Sequence, residues 1–345
     1  MISVTVPSSK SISHRALIGA ALVRGESVLR HVTQSDDIAC TRRILCAVGA
    51  RMEDLPGNGL RVRGIAGRPR GADLSGVEAL ACDVHESGST CRLLTAVLAA
   101  GQGRFRVFGA PRMHERPIGA LTLVLEKLGA SVRWEGRPGY PPFALEARGL
   151  QGGAVEVGLD ESSQYLSALL LAAPLCSGPI IIVPGGARAV SWPYVGLTLQ
   201  TLEDFGIPFE LRDKADGRRK EDWRSLAEAE PAGMCFHMRP AEYAAGEFHV
   251  EGDWSSASYF LAAGAAGDRP VRVEGLRNDS LQGDRAFVDI LRRMGARVEE
   301  GEARVVVHPS RLRGIDADMG RCPDLVPTLA ALAAFAQGET TIRNA

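Results

Sequence analysis

Apolar and polar positions along the chain recur in one order. Small polar residues precede an apolar helical stretch, a turn and a β-type run follow, and a second helix closes on Gly and a small or β-branched residue. After a β-type run over 2–6, the first copy takes Ser9, a helix over 16–22, a β-run over 27–29 and a helix over 36–48 ending at Gly49-Ala50. The second opens on Glu86-Ser87-Gly88-Ser89-Thr90, with helices over 93–100 and 116–128 around a β-run over 105–108, and ends at Gly129-Ala130. The third starts at Glu161-Ser162-Ser163-Gln164, with helices over 166–173 and 191–205, a β-run over 180–183 and an exit at Gly206-Ile207. The fourth starts at Asp253-Trp254-Ser255-Ser256, with helices over 259–266 and 284–294, a β-run over 271–273 and an exit at Gly295-Ala296. A fifth begins at Cys322-Pro323-Asp324, with a helix over 328–336 and a β-run over 340–342, and stops at Ala345 before its second helix, as a truncated protein would.

The pattern therefore predicts an α/β protein of repeated βα units. Helices that are apolar all round, such as 165–173, are expected to be buried on most sides. The glycines at the exits are expected in the left-handed conformation that ends a helix. The stretch 212–230 is dense in charges of alternating sign and reads as a solvated loop.

Composition narrows the function. With 345 residues, 45% hydrophobic and 23% charged, the chain is an ordinary globular protein long enough for two domains. A net charge of −1 supplies no field toward nucleic acid or an anionic membrane, so anionic ligands must be met by local clusters. The seven cysteines are scattered and lack C-x₂-C spacing, which fits reduced thiols in the cytoplasm and no metal site. No apolar run is long enough to span a bilayer.

The candidate chemistry lies at the helix starts. Pro7-Ser8-Ser9-Lys10-Ser11-Ile12-Ser13-His14-Arg15 joins capping serines to two cations, and Ser11 and Arg15 share a helix face. Free N–H groups and the positive dipole end make such a start an anion site, although a capped surface helix with solvated charges has the same letters. Lys10 is one of four lysines among 40 basic residues, and it alone stands among small residues at a predicted helix start. In the second copy Gly88 allows close backbone approach to a ligand, and Arg92 stands one turn into the helix. Pro117 suits a first helical turn and would place Arg116 at that helix's N-terminus, where a cation is disfavoured unless an anion joins it. Ser162-Ser163-Gln164 offers hydroxyls and an amide, and Ser191-Trp192-Pro193-Tyr194 repeats the proline-at-first-turn pattern. Asp324 reads either as a helix cap or as a general base. Together these starts point to a multiply charged, phosphorylated substrate.

The motifs resemble the EPSP synthase family, the 3-phosphoshikimate 1-carboxyvinyltransferases. The matching stretches run in order over the whole chain: residues 7–17, Ser35-Asp36-Asp37, residues 86–92, Arg112-Met113-His114-Glu115-Arg116-Pro117-Ile118, Ser162-Ser163-Gln164, Ser191-Trp192-Pro193-Tyr194, Gly252-Asp253-Trp254-Ser255-Ser256-Ala257-Ser258-Tyr259-Phe260, Ser280-Leu281-Gln282-Gly283-Asp284 and Pro323-Asp324. The resemblance implies a two-domain inside-out α/β barrel of βαβαββ units. A complete three-unit domain over 9–250 would join a second domain made of 1–8 and 251–345, incomplete at its C-terminus. It implies transfer of the carboxyvinyl group of phosphoenolpyruvate to the 5-hydroxyl of shikimate-3-phosphate, with no metal or organic cofactor, in a cytoplasmic monomer that binds neither nucleic acid nor membrane. Carried over by position, Lys10 and Asp324 would be catalytic. Lys10, Ser11, Arg15, Ser162, Ser163, Gln164, Ser191, Tyr194 and Asp324 would hold shikimate-3-phosphate, and Lys10, Gly88, Arg116 and Gln164 would face phosphoenolpyruvate.

Some positions depart from the family. His14 stands where many members have Asn, Ser8 where many have Gly, and Glu86-Ser87-Gly88-Ser89-Thr90 replaces an Asn-Ala-Gly-Thr-Ala form, so inhibitor sensitivity does not carry over. The family's Lys-Glu-Ser/Thr-Asp-Arg motif, expected after Asn344, is not in the sequence, so the chain alone is expected to turn over poorly or not at all. Alternatives from other classes are a non-catalytic remnant that binds shikimate-3-phosphate or only a partner protein, and an RNA-end-processing relative, which would need a basic surface that a net charge of −1 does not support. The related UDP-N-acetylglucosamine enolpyruvyl transferases have Asn after the lysine and a loop cysteine, whereas Ser11 follows Lys10 here and 112–116 holds no cysteine.

Overall fold

The computed structural model describes residues 1–186, 191–224 and 233–344. The chain divides into a larger unit, Lys10–His249, and a smaller one, Met1–Ser9 with Val250–Ala345. The larger unit holds α1 (Lys10–Leu22), α2 (Asp36–Ala47), α3 (Gly88–Ala99), α4 (Gly119–Lys127), α5 (Gln164–Ala172) and α6 (Pro193–Asp204); the smaller holds α7 (Trp254–Ala266), α8 (Phe287–Arg293) and α9 (Val326–Ala333).

One sheet plan is used four times. Leu80–Asp83 runs parallel to Gln102–Phe108, which pairs antiparallel with Phe143–Arg148, and Ser131–Trp134 completes the edge. Gly153–Gly158, Ile180–Gly185, Met234–Met238 and Phe209–Asp213 repeat the order and senses. So do Glu247–His249, Glu26–Arg30, Gly59–Arg63 and Arg51–Leu55. In the smaller unit Ile2–Thr5, Val271–Glu274, Arg304–His308 and Arg297–Gly301 do the same. A parallel pair needs a crossover, and a helix supplies it: α3 between Leu80–Asp83 and Gln102–Phe108, α5 between Gly153–Gly158 and Ile180–Gly185. The shorter pair Asp316–Asp318 and Thr341–Arg343 lies parallel on either side of α9.

Within the larger unit α3 packs on α5, α5 on α6 and α6 on α1, so the helices pack against one another at the centre. Every residue of α5 from Tyr165 to Ala172 is buried, as is α1 from Ser13 onward, which accounts for helices that are apolar all round. Burying each leucine of α5 contributes about 2 kcal/mol. The strands, by contrast, alternate: Gly103, Phe105 and Val107 are buried, and Gln102 and Arg106 face out. The smaller unit has its own core, built on Trp254, Leu261, Phe287, Leu291, Val305, Val307 and Leu329. Among the described residues no helix is long and apolar enough to cross a membrane.

The exit glycines are in the expected conformation, with φ of +117° at Gly49, +106° at Gly129, +69° at Gly206 and +90° at Gly295. One helix start differs from expectation. The helix expected from 116 begins at Gly119, and a 3₁₀ turn, Pro111–Glu115, precedes it. A residue before proline is pushed out of the helical region, and Arg116 is extended at φ −95°, ψ 118°. The charged stretch expected as a loop from 212 starts later: Arg212 and Asp213 belong to a strand, and Trp223 is buried edge-on to Phe209. Residues 225–230 of that stretch lie outside the described residues.

Candidate active site

The starts of α1, α2, α3, α5 and α6 are tied together in the larger unit by side-chain bonds. Lys10, in the first turn of α1, reaches the carboxylate of Asp37 in the first turn of α2 at 3.0 Å. Asp36 and Asp37 suit that position, since carboxylates favour a helix N-terminus, and Ser35 caps it by accepting from the Ile38 N–H at 3.3 Å. Ser9 was a candidate cap for α1, but its buried hydroxyl makes no hydrogen bond among the described residues.

Arg15 is only 3% exposed. Its guanidinium donates to the Ser11 carbonyl (2.8 Å), the Thr198 hydroxyl (2.8 Å), the Ser167 hydroxyl (3.3 Å) and the Tyr194 carbonyl (3.2 Å), leaving one Nη1 hydrogen on the Ser11 side. Burial pushes it down to about 10, which keeps it charged at neutral pH. Arg15 therefore locks the start of α6 to α1 while spending most of its donors inside the protein.

At the start of α3, Ser87 is the cap and accepts from the Thr90 N–H at 3.2 Å. Arg116 does not stand at the N-terminus of the helix that follows Pro117, as its sequence position suggests. Arg116 sits at the end of the 3₁₀ turn, and its Nη1 donates to the Glu86 carbonyl at 3.0 Å, over the start of α3. Gly88 leaves room for that guanidinium, because a Cβ on it would lie 2.7 Å from the Nη1 and displace it. Desolvation first, then the neighbouring cations Arg92 and Arg112, hold Arg116 below its ordinary value. Cations gathered at a helix N-terminus cost energy until an anion joins them.

Gln164, the first residue of α5, joins this group. Its Nε2 donates to the Ser89 hydroxyl at 3.0 Å and its Oε1 accepts from Arg92 at 3.0 Å. Arg92 also donates to the Pro117 carbonyl and stands 5.5 Å from the Tyr165 ring centroid. Ser162 accepts from the Gln164 N–H at 3.2 Å, whereas Ser163, in the cap position, makes no cap bond. Ser163 instead donates to the Ser191 carbonyl at 2.8 Å. Ser191 itself has φ +55°, an uncommon conformation for a residue with a side chain, one residue before Trp192 and the helix that opens at Pro193.

Ten of the candidate residues thus fall in one unit: Lys10, Ser11, Arg15, Gly88, Arg116, Ser162, Ser163, Gln164, Ser191 and Tyr194. Asp324 belongs to the smaller unit, in the 3₁₀ turn Pro323–Leu325, inside the turn and not at its cap, which is Cys322. Beside it Asp284, 4% exposed, has its carboxyl pushed up to about 7, by burial first and then by Asp324 and Asp253. Asp253 caps α7 by accepting from the Ser256 N–H at 2.7 Å. Asp37, Ser89 and Asp284 stand out in the sequence only as parts of motifs, whereas Arg92 stands out by its place one turn into the helix. A pair of carboxylates in the first turn of the next helix after a cation-bearing helix start is the available signal for Asp37. Nothing in the spacing pairs Gln164 with residues of another copy. Among the described residues no group of three His, Cys, Asp or Glu is arranged to hold a metal.

The EPSP synthase family model, described as 3-phosphoshikimate 1-carboxyvinyltransferase, matches residues 2–222 and 225–345. A 3-phosphoshikimate 1-carboxyvinyltransferase of Shewanella denitrificans is 39% identical over 345 residues, covering 99% of this chain and 74% of its own length. One of Ralstonia nicotianae is 40% identical over 354 residues, covering 99% and 75%. The solved EPSP synthase of Acinetobacter baumannii superposes with a TM-score of 0.76 at 22% identity, over 99% of this chain and 72% of that one, a likeness of fold. The chain belongs to the EPSP synthase family, the 3-phosphoshikimate 1-carboxyvinyltransferases of the shikimate pathway.

Proposed function

We propose that the helix starts of Lys10–His249 are the binding site for shikimate-3-phosphate and part of the site for phosphoenolpyruvate in an enolpyruvyl transfer. The observation that carries this reading is the set of bonds joining these starts: Arg15 to Ser167 and Tyr194, Ser163 to Ser191, and Gln164 to Ser89 and Arg92. They fix hydroxyls, an amide and cations among neighbouring helix starts, which suits a ligand with both phosphate and hydroxyl groups.

In this reading Lys10, Ser11, the remaining Nη1 hydrogen of Arg15, Ser162, Ser163, Gln164, Ser191 and Tyr194 receive shikimate-3-phosphate. Lys10, Gly88, Arg116 and Gln164 receive phosphoenolpyruvate. The 5-hydroxyl adds to C2 of phosphoenolpyruvate as C3 gains a proton; the tetrahedral intermediate then loses phosphate from C2 and a proton from C3. Asp324 takes the proton of the attacking hydroxyl and also receives shikimate-3-phosphate, and Lys10 offsets charge that develops on the departing phosphate. The protein acts as a cytoplasmic monomer, in keeping with seven free cysteines, six of them buried.

The test is phosphate release from the two substrates. Release that needs both of them, however slow, and that falls in Asp324→Asn is the expected outcome. Binding of shikimate-3-phosphate without any release would overturn the transfer and leave the non-catalytic binding reading.

A further inference from the structure

A buried polar chain runs behind the proposed site. His14, Thr41 and Thr90 are fully buried and Ser87 nearly so. His14 Nδ1 lies 2.8 Å from the Thr41 hydroxyl, which lies 2.8 Å from that of Thr90. The Thr90 hydroxyl in turn lies 3.2 Å from the Asp37 carbonyl and 2.7 Å from the Ser87 hydroxyl. These four side chains come from α1, α2 and α3 and from the residue capping α3. At one end the chain grips Asp37, whose carboxylate pairs Lys10; at the other it grips the cap of the helix that begins at Gly88.

Counting protons gives the chain a direction. A carbonyl only accepts, and each threonine has one proton to give. If Thr90 gives its proton to Asp37, Thr41 gives to Thr90, and His14 must give from Nδ1. The opposite direction leaves a Nε2–H buried with no acceptor, since His14 Nε2 has no hydrogen-bond partner among the described residues. A buried orphan N–H is the rarer and costlier defect. Burial, against the weaker pull of Asp37, holds the ring down to about 3, with Arg15 and Lys10 adding to the effect.

We infer that His14 is a positioning residue: as a permanent Nδ1–H donor it sets Lys10, through Thr41, Thr90 and Asp37, and Gly88, through Ser87, at a fixed separation. It touches no ligand. The inference rests on the binding reading above but can fail separately from it. Asparagine carries a donor nitrogen at the same place, one bond beyond Cγ, so His14→Asn keeps the chain. His14→Leu fills the space with no donor, and Thr90→Val breaks a later link.

Three measurements on the whole chain decide it. Nitrogen-detected histidine spectra should show His14 as the neutral Nδ1–H tautomer, unchanged from pH 5 to 8. Hydrogen exchange should quicken at the first-turn amides of α3 in His14→Leu, well away from that substitution, and in Thr90→Val, which lies within that turn, but not in His14→Asn. Shikimate-3-phosphate should bind about tenfold more weakly to the folded Leu and Val variants and within about twofold of normal to the Asn variant, the scale of one hydrogen bond. A Nε2–H tautomer overturns the inference. So does exchange that quickens only around residue 14, or an Asn variant that behaves as the Leu variant does. Should the Leu variant not fold, the tautomer, the His14→Asn variant and the binding of shikimate-3-phosphate by Thr90→Val decide. If the unaltered chain binds no shikimate-3-phosphate, the binding reading fails, and the tautomer and exchange results still decide the coupling.

Discussion

Gly88 is the residue at which space and charge meet most closely. A methyl group there would press on the Arg116 guanidinium at 2.7 Å, and since that end of the side chain can move, the protein would fold with Arg116 displaced. Gly88→Ala is expected to weaken phosphoenolpyruvate about tenfold while leaving thermal stability close to normal, a split read by competition calorimetry and melting. Ser163 is the converse case, where a bond between helix starts should appear in stability. Ser163→Ala loses the 2.8 Å bond to the Ser191 carbonyl and is expected to cost about 1 kcal/mol in denaturant unfolding, as well as ligand affinity. At this scale the sequence shows which helix starts carry hydroxyls and cations, because capping and dipole chemistry leave local signatures. It does not show which of them meet. His14 and Thr41 are 27 residues apart, Thr41 and Thr90 are 49 apart, and no period along the chain pairs their side chains. For Arg116 the local rule points to the wrong helix, because the extended backbone before Pro117 carries the side chain back to α3.

The helices and strands were legible from apolar periodicity and the exit glycines, since one burial pattern repeats in each copy. Their ends were less so. The polar residues that open α3 and α5 are themselves helical, so both helices begin earlier than their apolar runs. Element packing depends on close approach. Gly19 of α1 lies under the Phe205 ring that ends α6, and a Cβ there would come within 2.6 Å of it. Phe205 is itself stacked on Phe248 at 3.9 Å and cannot yield easily. Gly19→Ala is therefore expected to destabilise the larger unit by about 1–3 kcal/mol despite its better helix propensity, measured by chemical denaturation.

For the whole molecule, the two units differ in how their buried ionisable groups respond to pH. His14 in the larger unit stays neutral across the working range, because its value near 3 lies far below it. Asp284 in the smaller unit keeps its proton in the fold up to about 7, against 3.8 ordinarily. Between these values unfolding releases a proton, so this group lowers stability as pH rises through that window. Asp284→Asn should flatten that slope and melt higher than the unaltered chain at pH 8; a lower melting point there would contradict the assignment. The two-unit α/β arrangement follows from repeated sheets of one plan and was within reach of the repeat pattern. The exchange that gives the sheet over 26–30 its first strand from 247–249 was not, since that pairing spans nearly the whole unit.

The most direct measurement is calorimetric titration of shikimate-3-phosphate into the chain, repeated with Lys10→Ala and Ser163→Ala and at raised salt. The account predicts one site per chain, affinity reduced about tenfold or more in each variant, and further weakening as salt screens the cations. No binding, or variants that bind as the unaltered chain does, would contradict a site built on these helix starts.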